Sequence, residues 1–404
     1  MKWLGEFPEP EKLISEMKGN LPAAPLNVNS HIHTPYSFSA FHSIEEAVRL
    51  ADAEQVRILG INDFYVTDGF AGFIEACGRR KIFPLLNVEL IGIDKEDQRR
   101  GLRVNDPKNP GRTYISGKGL KYPVGLPDVL AKKLSDVLTE SHNQVSGMID
   151  LLNEWLAGRR IDIRLSMEEI LEHHALKLVR ERHIAKALRI EVEKRAKTEV
   201  QFYKLLENIY GGRPSDKQIG DIAGIEEELR SRLLKAGSPA FVAEDDGAFL
   251  SLDEIIEIIR VAGGIPTYPM LLDGTGGAIT EFESDMEGLI QRLRDRQITS
   301  VEFIPLRNKF DILKAYTEFF YDNGFSVTFG TEHNTSAMLP LKVTCKGGVP
   351  LDESLSRIAF NGAAVIAAHQ YLVAMRGIDY EPVSRTEMEA LGKAVIGYYF
   401  KIAR

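Results

Sequence analysis

The chain has 404 residues, a formal charge of −8 and a pI near 5.7, so it can bury a large core and is poorly suited to bind nucleic acid or an anionic membrane. Its two cysteines, Cys77 and Cys345, exclude a disulfide framework and a cysteine-built zinc site. Charges and Pro8 break the N-terminus before signal-peptide length, and no apolar run reaches the roughly 18 residues of a membrane helix, so the expected compartment is the cytoplasm.

Residues 1–26 read as a polar lead-in with a short helix around Glu11–Lys18. Leu26-Asn27-Val28 is then apolar enough to begin a buried strand, and it runs into Asn29-Ser30-His31-Ile32-His33-Thr34. Residues two apart on a strand share a face, so His31 and His33 project together from its C-terminal end. Two neutral imidazoles so placed can grip one divalent metal. An arbitrary His-x-His is more often a polar strand end, and the rest of the chain has to decide between the two.

Ser43-Ile44-Glu45-Glu46 has the spacing of a capping box and predicts a helix to about Gln55. Arg57–Asn62 follows as a strand with Asp63 at its end, then a helix near Gly69–Arg80, then a strand over Ile82–Leu90 with Glu89 near its end. This rhythm predicts parallel βαβ units, whose sites lie at the C-terminal ends of the strands. Residues 94–126 are rich in Gly, Pro, Lys and Arg and predict a long loop with one strand-like piece at Arg112–Ser116.

From Pro127 to about Lys235 the pattern is helical and highly charged. The basic run through Lys177, Arg180, Arg182, Lys186 and Arg189 is most simply a solvated helix face, and a role facing phosphate is the minority reading. The βα rhythm resumes with a short strand at Phe241–Ala243, a Ser251-capped helix to Ala262 and a strand at Ile265–Pro269. A helix at Ser284–Arg296, a strand at Ser300–Pro305 and a helix at Lys309–Asn323 come next. A last strand, Ser326–Gly330, delivers Thr331-Glu332-His333-Asn334, and the tail predicts helices near Asp352–Phe360 and Ala363–Arg376. The expected architecture is α/β: residues 27–150 and 240–404 form a barrel with C-terminal helices, and residues 151–239 form a helical cap over its mouth.

Set in this order, several segments resemble the PHP (polymerase and histidinol phosphatase) superfamily of metal-dependent phosphoesterases, most nearly its nucleoside phosphate and bisphosphate phosphatases. The matching pieces are His31 and His33, Leu59–Asp63, Val88-Glu89, Arg182–Leu188, Leu234–Phe241 leading into Ser251–Gly264, and Gly330-Thr331-Glu332. The resemblance implies a distorted TIM-like (βα)7 barrel with metals at the strand ends. It also shows departures. Where the family carries metal ligands, this chain has Phe38, Phe64, Tyr114 and Tyr268, and Asn334 replaces a terminal His. The expected metal set is therefore His31, His33, Glu89 and Glu332, with Asn334 or His333 as a weak fifth ligand. It would hold one divalent cation, at most two, and Zn, Mn or Fe suits it better than Mg.

Two functions follow. In the first, a hydrolase uses a metal-activated water on a small phosphorylated metabolite, with Arg182 and His183 on the phosphate and Asp63 as base or as partner to a His ligand. In the second, catalysis is lost and Phe38, Phe64, Tyr114 and Tyr268 line a stacking pocket for a small molecule or carbohydrate, with one metal or none. The sequence leaves the oligomeric state open. His142 and His173-His174 read as surface residues, His42 as a solvated helix start, and His369 as a satisfied core histidine.

Overall fold

The structure, a computed structural model, describes residues 3–21, 24–273, 278–381 and 383–403. Of the lead-in, Met1, Lys2, Pro22 and Ala23 lie outside the described residues. The barrel strands are β1 (Val28–Ile32), β2 (Ile58–Phe64), β3 (Phe83–Ile93), β4 (Arg112–Lys118), β5 (Leu250–Ser251), β6 (Ile265–Pro269), β7 (Ser300–Phe303) and β8 (Ser326–Phe329). They pair in the order β1-β2-β3-β4-β6-β7-β8, and β5 adds to the far end of β3. All these pairings are parallel except those of β4, which runs antiparallel to both neighbours.

The ring nearly closes between β8 and β1. The amide of His33 donates to the Glu332 carbonyl at 2.8 Å, and the amide of Glu332 donates to the His31 carbonyl at 3.0 Å. This is the expected α/β, TIM-like barrel. The strands read as near-continuous apolar runs because helices cover their outer face. Their inward positions, unusually, carry polar groups.

The strand-like piece expected at Arg112–Ser116, within the long loop 94–126, is the central barrel strand β4. Its antiparallel course lets it follow β3 after a turn and the short helix Lys95–Arg99, so no crossover helix announces it. The strand expected at Phe241–Ala243 does not form; that step of the chain pairs instead through β5. The two tail helices are one helix, Glu353–Arg376, which passes straight through Gly362. It has the length and hydropathy of a membrane span, and 89% of its most apolar window is buried inside this fold. With Arg385–Ile402 it closes the N-terminal end of the barrel, packing Ala363, Ile366, Val395 and Tyr399 on Val28, Ile58, Phe83 and Leu85.

The helix Asp128–Gly158 runs through residue 150. Its first half packs Leu130 and Val137 on the barrel, and its second half joins a separate core with Ile184, Leu188, Phe202 and Leu229. That core belongs to the helices Met167–His173, Glu181–Arg195, Glu199–Ile209 and Ile222–Leu233. Backbone bonds from Leu176 and Leu178 to the carbonyls of Pro35 and Tyr36 tie this helical segment to the loop after β1, beside the mouth.

Candidate metal centre

His31 ends its turn of β1 facing into the barrel, and His33 follows on the same side. Their Nε2 atoms are 3.2 Å apart. Glu89 reaches in from β3, its Oε2 lying 3.5 Å from His33 Nε2 and 3.8 Å from His31 Nε2. All three side chains are buried.

The far ring nitrogens fix which way each imidazole faces. His31 Nδ1 is 2.8 Å from Glu302 Oε2, and a carboxylate there can only accept, so Nδ1 carries the proton. His33 Nδ1 is 3.3 Å from Ser37 Oγ, whose own hydrogen goes to Asp63 Oδ1 at 2.6 Å. Ser37 therefore accepts from His33, and both Nε2 atoms carry lone pairs on their facing edges, with the Asn62 amide nitrogen also 3.0 Å from His31 Nε2. Lone pairs at this distance repel unless a proton or a cation lies between them.

The electrostatics agree. Burial lifts the Glu89 carboxyl to about 8, with Glu332 and Glu302 adding to the effect against His31 and Lys118. Burial also pulls His33 down to about 4, although Asp63 and Glu332 oppose it. Neutral imidazole beside a carboxyl that ionises only with help is a metal-binding combination. Tetrahedral zinc with ligands at about 2.0–2.2 Å needs donor atoms about 3.3–3.6 Å apart, close to the three separations seen here. The donor set fits one divalent cation.

Around this set the structure distributes the other sequence-predicted residues unevenly. Phe38 and Phe64 stack on His33, each with ring centroids 5.2 Å away, and Tyr114 meets Phe64 edge-on at 6.0 Å. Tyr114 shares the inward face of β4 with Ser116 and Lys118, and burial raises its hydroxyl pKa. Asp63 accepts from the Thr34 amide, the Thr34 hydroxyl and Ser37. It thus reaches His33 through Ser37 as a tether, the expected partner to a His, with its hydrogen bonds going to Thr34 and Ser37. Its carboxyl is raised by burial against those bonds.

Glu332 joins the barrel seam by its backbone, in a left-handed conformation with φ 63°. Its carboxylate turns to Arg307 at 3.5 Å and to the Asn334 amide at 3.2 Å, outside the three-residue cluster. Asn334 goes with it. His333 is occupied by Thr331 and the Leu339 carbonyl and is stacked on Phe41. Tyr268 lies on the outer face of β6, where it donates to Glu283 at 3.0 Å. Alternation is the reason: Thr267, paired with Ser116 and Ser300, takes the inward side, so Tyr268 must point out.

His183 caps its own helix, accepting from the Arg180 amide at 3.0 Å, while its ring also bonds the Ser37 backbone; burial takes it down to about 3. With both sides of the ring engaged it has nothing left for a phosphate, and its work is to join the helical cap to the loop after β1. Arg182 is different. Its guanidinium lies 5.3 Å over Phe38 and makes no ion pair among the described residues. Together with Lys186, His42, His174 and Asn334 it lines a cavity of about 250 Å³ between cap and barrel mouth. His369 is satisfied by Tyr380 and the Gly263 carbonyl, away from the site.

The residues that sequence reasoning missed are Glu302 and Lys118. Both are fully buried, and their side chains meet at 2.6 Å across the barrel interior. Burial would raise the Glu302 carboxyl, but Lys118 and His31 outweigh it and hold the group down at about 2. The available signal was a lone carboxylate in the apolar run Ser300–Ile304.

Comparison with protein families and with curated proteins gives no match. Among solved structures the chain is similar to a candidate metal-dependent phosphoesterase from Bifidobacterium adolescentis. The TM-score is 0.55 at 14% identity, over 84% of this chain and 96% of that one. It also aligns with an amidohydrolase from Chromobacterium violaceum solved with sulfate and no metal, with a TM-score of 0.47 at 15% identity, over 82% of this chain and 96% of that one. At these identities the first likeness supports the barrel fold alone.

Proposed function

We propose that the protein is a metal-dependent hydrolase, a divergent phosphoesterase of PHP type acting on a small phosphorylated metabolite. The observation that carries this reading is the pair of His31 and His33 Nε2 atoms 3.2 Å apart with the Glu89 carboxyl beside them, a buried trio whose charges balance best around a cation. Zn, Mn or Fe suits two imidazoles and a carboxylate, with one ion per chain and at most two. Such an ion, when bound, supplies an activated water and positive charge for the phosphoryl oxygens.

The chain's own residues would do the rest. Glu302 on one side and Ser37–Asp63 on the other hold the two imidazoles in their ligating orientation. Phe38 and Phe64 keep water off His33 and lower the local dielectric. Arg182, free of ion pairs among the described residues, offers a planar pair of donors to a phosphate entering from the cavity under the cap. The same two phenylalanines favour a second reading, a small-molecule binding protein without catalysis, because they stack against His33 where a ring-bearing ligand could also stack.

Metal analysis of protein purified without chelators, joined to a panel of phosphomonoesters and phosphodiesters, separates the two. One ion per chain with turnover supports the hydrolase. Three ions per chain would overturn the reduced site, and no ion even after added Zn or Mn would leave the binding protein as the better account.

A further inference from the structure

The barrel interior contains a charged pair that packing does not require. Lys118 on β4 and Glu302 on β7 are separated in the sheet by β6, so their 2.6 Å contact crosses the inside of the barrel. Both side chains are fully buried. A buried ion pair costs several kcal/mol of desolvation per ion, and apolar side chains of equal volume commonly serve stability as well. The arrangement therefore calls for a reason beyond stability.

The reason lies in how the oxygens of Glu302 are shared. Oε1 accepts from Lys118 at 2.6 Å, with Thr328 at 3.5 Å, while Oε2 accepts from His31 Nδ1 at 2.8 Å, with Ser116 at 3.4 Å. Lys118 spends a further donor on the Ser30 carbonyl, one residue before His31, at 3.4 Å. Asn62 lies against the His31 ring, its Nδ2 within 3.1 Å of both ring nitrogens. The imidazole is thus held from its far edge and across its ring, with its Nε2 edge turned toward His33 and Glu89.

We infer that Glu302 is a positioning residue for the metal: neutralised by Lys118, it fixes the Nδ1-protonated form of His31 and aims Nε2 into the site. The inference rests on the metal reading above. Carboxylate partners of ligating histidines set both ring orientation and basicity, and their loss typically weakens metal binding about 10–100-fold. A Lys118–Glu302 pair that served stability alone would change melting temperature and leave the affinity of the folded protein untouched.

The test compares the full chain with the charge-balanced double variant Lys118→Met/Glu302→Gln, and with Glu302→Gln alone. Folding is followed by circular dichroism, Zn²⁺ affinity by competition with a chromophoric chelator, and ligand geometry by the visible spectrum of the Co²⁺ form. The expected result is a folded double variant with Zn²⁺ affinity about 10–100-fold lower and an altered Co²⁺ spectrum. A folded variant with affinity within about twofold of the parent and an unchanged spectrum would overturn the role. Should the variants fail to fold, the unmutated metal-free protein still decides it. Long-range ¹H–¹⁵N correlation of its histidines, with His31 assigned by the signal lost in His31→Gln, is expected to show the Nδ1–H tautomer, and the Nε2–H tautomer would refute the assignment. If the parent binds neither Zn²⁺ nor Co²⁺, the metal reading fails and this role with it. If the parent binds and the variants bind equally, this role alone fails.

Discussion

Metal binding at this centre should compete with a single proton held by Glu89. Burial lifts that carboxyl from 4.5 to about 8, whereas His33 is lowered to about 4 and is neutral throughout the physiological range. At pH 6, two units below its folded value, about 99% of Glu89 is protonated, so apparent affinity should be about 100-fold weaker than well above pH 8. Across pH 6–7.5 the affinity should rise about tenfold per unit, with about one proton released from Glu89 for each cation bound. The sign for stability is opposite in the metal-free protein. The folded value lies above the unfolded one, so Glu89's contribution is present below about 4.5 and lost as pH rises through about 8. Metal-free protein should melt lower at pH 8 than at pH 6, and an added cation should reverse that order. Isothermal titration calorimetry with Zn²⁺ in two buffers of different ionisation enthalpy measures both the affinity and the protons. An affinity that stays flat between pH 6 and pH 8 would refute the reasoning.

Arg182→Ala should raise KM for a phosphorylated substrate by about 1.5–3 kcal/mol, roughly 10- to 150-fold, and steady-state kinetics check it; an unchanged KM removes Arg182 from the phosphate. Tyr268→Phe should cost about 1 kcal/mol of stability in urea melts by stripping one donor from buried Glu283, and should leave metal affinity alone because the ring faces out of the barrel. In Gly362→Ala the new Cβ would lie 1.8 Å from the Val327 carbonyl, so the helix must move off β8; a loss of about 3 kcal/mol or more in chemical denaturation is expected.

The barrel and the three residues of the candidate metal cluster were legible for a physical reason. Short apolar strands alternating with capped helices can only stack in parallel, and the His31, His33 and Glu89 strand ends then converge whatever the details of the loops. What stayed hidden was any feature that depends on which face a residue takes or on a partner far along the chain. Tyr268 looks like a site residue until Thr267 is seen to occupy the inward side. Glu332 has ligand chemistry, yet its carboxylate is drawn to Arg307, a pairing that spacing does not encode. Glu302 and Lys118 are 184 positions apart, and the second lies just past the strand-like piece Arg112–Ser116, where Gly and basic neighbours read as loop. His183 is expected on a phosphate because it lies in the family-like segment Arg182–Leu188, but a histidine at the third position of a helix can cap that helix, as this one does.

The aromatic replacements and the buried carboxylates make sense together. Phe38 and Phe64 cannot ligate, and by stacking on His33 they remove the space in which further ligands would converge. Water leaves with that space, which is why Glu89 is lifted and His33 lowered so far. In so dry a setting one dication with two neutral imidazoles and one carboxylate carries a net charge of +1. Glu302 behind His31 is balanced by Lys118, so the pair orients the imidazole without changing that net charge, and Lys118 keeps Glu302 from being a ligand in its own right. A second cation would need another carboxylate facing in. The sequence-predicted candidate, Glu332, is already turned to Arg307 and Asn334. The geometry therefore favours one tightly coordinated ion reached from the Arg182 side over the open multi-ion cluster that an exposed, carboxylate-rich mouth would hold.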